Sequence, residues 1–143
     1  MSSNIETIWK KIRDPKTQSL VNTLGIEITH LDEKSIRGTM PVDHRTIQPY
    51  GLLHGGASVA FAETLASFGA GVHIDQQKET VVGLEINANH IRGVPDGGKV
   101  VGEGWPVHVG RRTQVWQIEL KTSDGKLVCS SRCTLAVVAR ESK

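Results

Sequence analysis

Apolar residues are distributed differently on the two sides of an alanine-rich stretch in the middle of this chain. Before it they are sparse. Ile5, Ile8, Trp9 and Ile12 recur at helical spacing, and Asp14-Pro15 ends the run, which predicts a helix over 5–12 and a further helical turn within 16–23. Gly25 to Leu31 and Ser35 to Met40 alternate apolar and polar positions, as strands do, with Asp32 to Lys34 as the turn between them. Pro41 to Gly51 reads as loop. Residues 54–73 contain no proline and many alanines, which predicts the long central helix. After Thr80 the pattern becomes β-branched and alternating, giving strands at 80–92, 98–109, 111–122 and 126–138. Pro95 to Gly98, Gly110 and Ser123 to Gly125 separate them.

These elements predict an α+β domain: two short strands, one long helix, then an antiparallel meander whose curved sheet wraps the helix. The chain has 143 residues and no linker or internal repeat, so one domain over 1–143 is expected, with 1–23 as an N-terminal helical segment and 140–143 as a frayed tail.

Seventeen basic and 15 acidic residues leave a net charge of +2, too mild for a nucleic-acid-binding surface yet compatible with a local basic patch for an anionic ligand. No apolar run approaches the roughly 18 residues of a membrane helix, and no basic-then-apolar leader opens the chain. Cys129 and Cys133 lie in one predicted strand. Four residues of strand rise put them about 13 Å apart, too far for a disulfide. Buried thiols in a reducing compartment, the cytoplasm, are expected.

Within the helix, the carboxylate of Glu63 interrupts His54-Gly-Gly-Ala-Ser-Val-Ala-Phe-Ala-Glu63-Thr-Leu-Ala-Ser67. A buried acid is costly unless it is paired, bonded or protonated. Read functionally, Glu63 is a nucleophile or general base, and Ser67, one turn later, shares its face. Read structurally, it is a solvated glutamate beside a serine. Gly55 and Gly56 sit at the predicted helix start, where backbone N–H groups lack intrahelical partners and are able to polarise a carbonyl oxygen; such a pair also simply permits a tight turn. Gly55 and Glu63 are eight residues apart, about 12 Å along the axis. Both serving one carbonyl therefore requires Gly55 of one subunit and Glu63 of another, as in a two-fold dimer.

His54 fits a helix-entry residue or a base, and Gln48 a loop donor or a solvated side chain. The six histidines form no zinc pattern, so no metal is expected. His90, Arg92, Arg111 and Arg112 fall near turns and strand ends, as candidate phosphate contacts or ordinary surface charges. No GxGxxG, GxxxxGK[ST] or Gly-x-Ser-x-Gly motif is present, which argues against a Rossmann site, a P-loop and a serine triad.

Several segments resemble the hotdog-fold acyl-CoA thioesterases of the PaaI-like branch. They are Met40-Pro-Val-Asp43, Gln48-Pro-Tyr-Gly-Leu-Leu-His-Gly-Gly-Ala-Ser58, Ala62-Glu63, Val82-Gly-Leu-Glu-Ile-Asn-Ala-Asn-His90 and Gln114-Val-Trp-Gln-Ile-Glu119. The resemblance implies hydrolysis of an acyl-CoA, with hydroxynaphthoyl or hydroxybenzoyl groups expected and CoA as part of substrate and product, so no separate cofactor. It implies Glu63 as nucleophile or base, the Gly55 N–H on the thioester carbonyl, Gln48 and His54 beside it, and Ser67 positioning water. It places the CoA phosphates on His90 and Arg92, with Arg111 and Arg112 as further contacts. It also implies homodimers that pair into tetramers. Phe68, Val72 and His73 are expected to shape the acyl pocket. A broad-specificity enzyme, a carrier-protein thioesterase, a non-catalytic acyl-CoA binder and a related dehydratase are the competing readings.

Overall fold

The computed structural model describes residues 2–142. Its elements run α1 (Ser2–Arg13), α2 (Leu20–Thr23), β1 (Glu27–Leu31), β2 (Ile36–Pro41), α3 (Gly55–Gly71), β3 (Glu79–His90), β4 (Lys99–Val109), β5 (Thr113–Thr122) and β6 (Leu127–Ala139). The helix expected at 5–12 begins earlier, and the helical turn expected within 16–23 is confined to its last four residues. Arg140, in the expected frayed tail, is tied down by its N–H to the Lys78 carbonyl and its Nε–H to the Glu79 carbonyl; Lys143 lies outside the described residues.

All five strand pairings are antiparallel, and the six strands form one sheet in the order β1-β2-β4-β5-β6-β3. This corrects the simple meander. β3 pairs with β6 and not with its sequence neighbour β4, so Pro95 to Gly98 is the end of a crossover and not a hairpin turn. Segment 91–98 carries the chain past β5 and β6, about 14 Å of sheet. It is held on the 42–53 loop by Leu53 N–H to the Val94 carbonyl, Gly97 N–H to the Val42 carbonyl and Val42 N–H to the Gly98 carbonyl. Gly97 and Gly98 both take φ near +100°, which suits residues without Cβ.

The sheet curls round α3, which touches β2, β3, β4, β5 and β6. The helix buries Ala57, Ser58, Phe61, Ala62, Leu65, Ala66, Gly69 and Ala70, a broad stripe at spacings of three and four. Small residues let the sheet close in. A Cβ at Gly69 would fall 2.6 Å from the Trp116 ring, which lies fully buried at that point. Burying Trp116 obliges its indole N–H to find an acceptor. It donates to Gln114 Oε1 at 2.9 Å, and Gln114 Nε2 donates to the Ala70 carbonyl at 3.1 Å, so buried polar groups tie β5 to α3. Cys129 and Cys133 are free and buried, as expected from their strand spacing.

β3 closes one side of the sheet as an edge strand of 12 residues. Val81, Ile86 and Ala88 pack against the core, whereas Val82 and Leu84 are exposed on an edge that no strand covers among the described residues. A bulge at Gly83–Glu85 interrupts its register with β6 and reverses which positions face the helix.

Candidate active site

Glu63 lies half-buried at the midpoint of α3. Its carboxylate extends over Gly83 of β3, and a Cβ at that position would collide with Glu63 Oε1. Glycine inside a strand often marks such close approach, and this is the one signal that would have flagged Gly83 from the sequence. Around Glu63 is an open pocket of about 400 Å³ whose wall includes Leu20 and Val21 of α2, Thr64, Ser67 and Phe68. Glu63 and Ser67 therefore share one pocket, as the four-residue spacing implies. Thr64 is occupied elsewhere, its hydroxyl donating to the Ala60 carbonyl at 2.7 Å.

The other candidates gather at the N-terminal end of the helix. Gln48, Gly55, Ser58, His90 and Arg92 line a pocket of about 300 Å³. His54 is the N-cap of α3: its extended backbone starts the helix, and its Nδ1 accepts the Gly56 N–H at 2.8 Å. Accepting that bond leaves the nitrogen unprotonated, so His54 anchors the helix start. Gly55, the first helical residue, keeps an N–H with no intrahelical acceptor. The His90 imidazole lies flat enough against Gly55 that an added Cβ would stand 3.0 Å from Nε2. Gln48 is fixed by its own loop. Its Oε1 accepts the Tyr50 N–H at 2.5 Å and its backbone N–H donates to the Leu52 carbonyl, which leaves the side-chain NH₂ without a partner among the described residues. Tyr50 itself is 91% exposed.

Arg111 and Arg112 do not join His90 and Arg92 within this chain. They form the turn between β4 and β5, where the Arg112 carbonyl accepts the Val137 N–H, and Val137 pairs with Val81 at the start of β3. His90 ends that strand, about 30 Å away by strand rise. Val72, expected near the acyl pocket, is fully buried. His73 turns inward too, 6.0 Å from the Trp116 ring centroid, with a buried Nε2 that has no hydrogen-bond partner. Of the three expected acyl-pocket residues only Phe68 lines the cavity beside Glu63.

Electrostatically, two features stand out. Burial pushes the Cys133 thiol up to about 12, helped by the charges of Glu63 and Glu85, so Cys133 is no nucleophile for this site. At the loop before the helix, Arg45 donates to both Asp43 oxygens and holds that carboxyl down at about 2. Among the described residues no cluster of three His, Cys, Asp or Glu side chains is arranged to hold a metal ion, and no helix is long and apolar enough to cross a membrane.

An acid in one pocket and free N–H donors beside basic residues in another suit ester or thioester hydrolysis, and the chain is similar to thioesterases. Residues 50–129 match the thioesterase superfamily. The chain is 49% identical over 120 residues to the 1,4-dihydroxy-2-naphthoyl-CoA hydrolase of Escherichia coli, covering 84% of this chain and 87% of that protein. It is 44% identical over 137 residues to the proofreading thioesterase EntH of Cronobacter turicensis, covering 92% of this chain and 98% of that protein. A thioesterase crystal structure from Pseudomonas aeruginosa superposes with a TM-score of 0.85 at 42% identity, covering 94% of each chain. The chain belongs to the thioesterase superfamily, as a hotdog-fold acyl-CoA thioesterase of the PaaI-like branch.

Proposed function

We propose that the chain hydrolyses an aromatic acyl-CoA, of the 1,4-dihydroxy-2-naphthoyl or hydroxybenzoyl type, to the free acid and CoA, in sites completed only by a homodimer. The observation that carries this reading is the division of the candidate residues: Glu63 and Ser67 line one pocket beside the middle and later turns of a helix, and Gln48, Gly55, His90 and Arg92 line another at its N-terminus. Separation of about 12 Å along that helix keeps both groups from one carbonyl within a protomer.

A second copy removes the difficulty. The exposed edge of β3 is a template for another strand, and antiparallel pairing of β3 with its own copy runs the start of one strand beside the end of the other. Residues directly opposite in an antiparallel pair share a face. Ile86 and Ala88 are the core-packed positions, so a two-fold axis at Asn87 sets Ile86 against the partner subunit's Ala88. The same register sets the Gly83–Leu84 bulge, where Glu63 lies, against the partner subunit's His90, and with it the partner subunit's Gly55. Arg111 and Arg112 then stand at the same end as the partner subunit's Arg92.

In such a site the Gly55 N–H and the Gln48 NH₂ donate to the thioester oxygen as charge develops there. His54 holds the helix start that aims the Gly55 N–H. Glu63 either attacks the carbonyl carbon, giving a mixed anhydride that water cleaves, or takes a proton from the water that attacks it, with Ser67 positioning that water. Either route returns a proton to the departing CoA thiolate. His90, Arg92, Arg111 and Arg112 hold the CoA phosphates. Pairing of dimers into a tetramer and a place in menaquinone formation follow from the resemblance, and the buried free thiols suit the cytoplasm.

Thiol release from a panel of aromatic and aliphatic acyl-CoAs and acyl-carrier-protein thioesters tests the reading. Wild type is expected to turn over aromatic acyl-CoAs fastest, and Glu63→Gln to lose about 10²–10⁴ in kcat. Absence of thiol release across the panel, or a Glu63→Gln variant near wild type, overturns it.

A further inference from the structure

A second cavity, of about 200 Å³, adjoins the Glu63 pocket and shares Ser67 and Phe68 with it. Its roof is α1, which is not a loose appendage. Asn4 Nδ2 donates to the Val72 carbonyl at 3.1 Å and the Ile74 carbonyl at 2.7 Å, and Gln76 Nε2 donates to the carbonyls of Asn4 and Gly71, each at 3.1 Å. Ile8, only 4% exposed, sits on Gly71, where an added Cβ would be 3.3 Å from Ile8 Cδ1. Three hydrogen bonds to Asn4 and one apolar side chain thus fix α1 as a wall, and the bond to Gly71 orients Gln76 for its part.

The remaining lining divides by chemistry. Ile8, Phe68, Ile74 and Val81 make an apolar interior, and Lys11 and Arg140 are the cations of the lining. Both cations are exposed, and neither forms an ion pair among the described residues. Arg140 is nonetheless anchored: Nε donates to the Glu79 carbonyl at 2.9 Å, which orients the guanidinium while leaving its terminal NH₂ groups unbound. Cavities of about 150 Å³ bind benzene, so this one has room for the distal ring of an aromatic acyl group and a substituent on it.

We propose that this cavity is the subsite for the distal end of the acyl group, and that Lys11 and Arg140 select acyl groups carrying an anionic substituent there. The inference rests on Glu63 marking the position of the thioester carbonyl, because the cavity adjoins the Glu63 pocket at Ser67 and Phe68. An acyl group anchored at Glu63 enters the apolar interior with its ring, and a terminal carboxylate arrives at the two cations. A terminus without charge gains only the apolar contact.

Benzoyl-CoA and 4-carboxybenzoyl-CoA differ only in that terminal charge, and kcat/KM for each is measured by thiol release in wild type and in the double variant Lys11→Gln/Arg140→Gln. Exposed ion pairs contribute modestly, so the double variant is expected to lower the ratio of carboxybenzoyl to benzoyl kcat/KM by roughly three- to tenfold. The wild-type ratio is also expected to fall as ionic strength rises. A ratio that both the variant and added salt leave in place overturns the subsite. Turnover of benzoyl-CoA by Glu63→Gln at the wild-type rate instead overturns the reading of the reacting end. Loss of activity in Glu63→Gln together with an unmoved ratio removes the subsite alone.

Discussion

Replacing Gly83 with alanine separates the placement of Glu63 from every other property of the molecule. Gly83 has an ordinary strand backbone, not a left-handed one, so alanine fits there without strain. The added methyl meets one thing, the tip of Glu63, and lies inside the 3.0 Å that real Cβ contacts essentially never breach. Because the obstacle is the end of a flexible side chain, the fold accommodates it by moving the carboxylate, by about 1 Å to reach ordinary contact distance. A reacting group misplaced by that much costs about 10²-fold in rate, or about 2.7 kcal/mol of barrier. Glycine to alanine in a strand with compatible backbone changes stability by no more than about 1 kcal/mol, and in the favourable direction. The assay is steady-state thiol release with a saturating aromatic acyl-CoA, beside a urea unfolding curve and sedimentation of the same sample. The expected result is a kcat about 100-fold down with unfolding midpoint and oligomeric state retained. A kcat within about twofold of wild type would refute the claim that the position of the Glu63 carboxylate over Gly83 matters to turnover.

A cysteine at Asn87, on the proposed two-fold axis, is expected to cross-link the dimer to completion under mild oxidant on a non-reducing gel, while Val82→Cys does not; no cross-link at Asn87 refutes the register. Gln114→Leu strands the buried Trp116 N–H, while the Ala70 carbonyl keeps the His73 N–H, and should cost about 1–3 kcal/mol in urea unfolding, with a loss under about 0.5 kcal/mol contradicting the role given to that network. The buried Cys133 thiol stays protonated to about pH 12, whereas an unfolded cysteine ionises near 8.5, so from about pH 8.5 upward the unfolded chain holds fewer protons and stability falls as pH rises. The urea midpoint should therefore drop between pH 8 and pH 10, and native Cys133 should resist iodoacetamide at pH 8; rapid alkylation of the folded protein would contradict this.

Much of the fold can be read along the chain, because each element here has a period of its own. The α3 stretch is alanine-rich and proline-free, and β5 alternates buried and half-buried positions from Thr113 to Leu120 without a break. Sheet order is a different matter. The connection at 91–98 has the glycines and proline of a hairpin, and only its bonds to the 42–53 loop make it a crossover. The strand positions alone do not tell that Arg112 and His90 stand at opposite ends of β3. His54 at two residues before Gly56 was legible as a helix entry, but its use of Nδ1 as the cap needs the ring orientation. The wall formed by α1 was not legible at all, since it depends on Asn4 and Gln76, 72 residues apart. Phe68 lines the cavity beside Glu63, and Val72 and His73 turn into the core where the chain leaves α3 after Gly71.

The division of labour along α3 has a genetic consequence. If each catalytic centre takes its acid from one helix and its carbonyl donors from the other, a subunit carries two half-sites that never serve each other. Two inactive proteins, one altered at Glu63 and one at Gln48, would then restore activity when their subunits exchange. A mixed dimer holds one centre with both defects and one with neither, so random exchange of equal amounts returns a quarter of the wild-type activity. Dilution that separates the subunits abolishes turnover outright, and enzyme concentration itself becomes a determinant of specific activity.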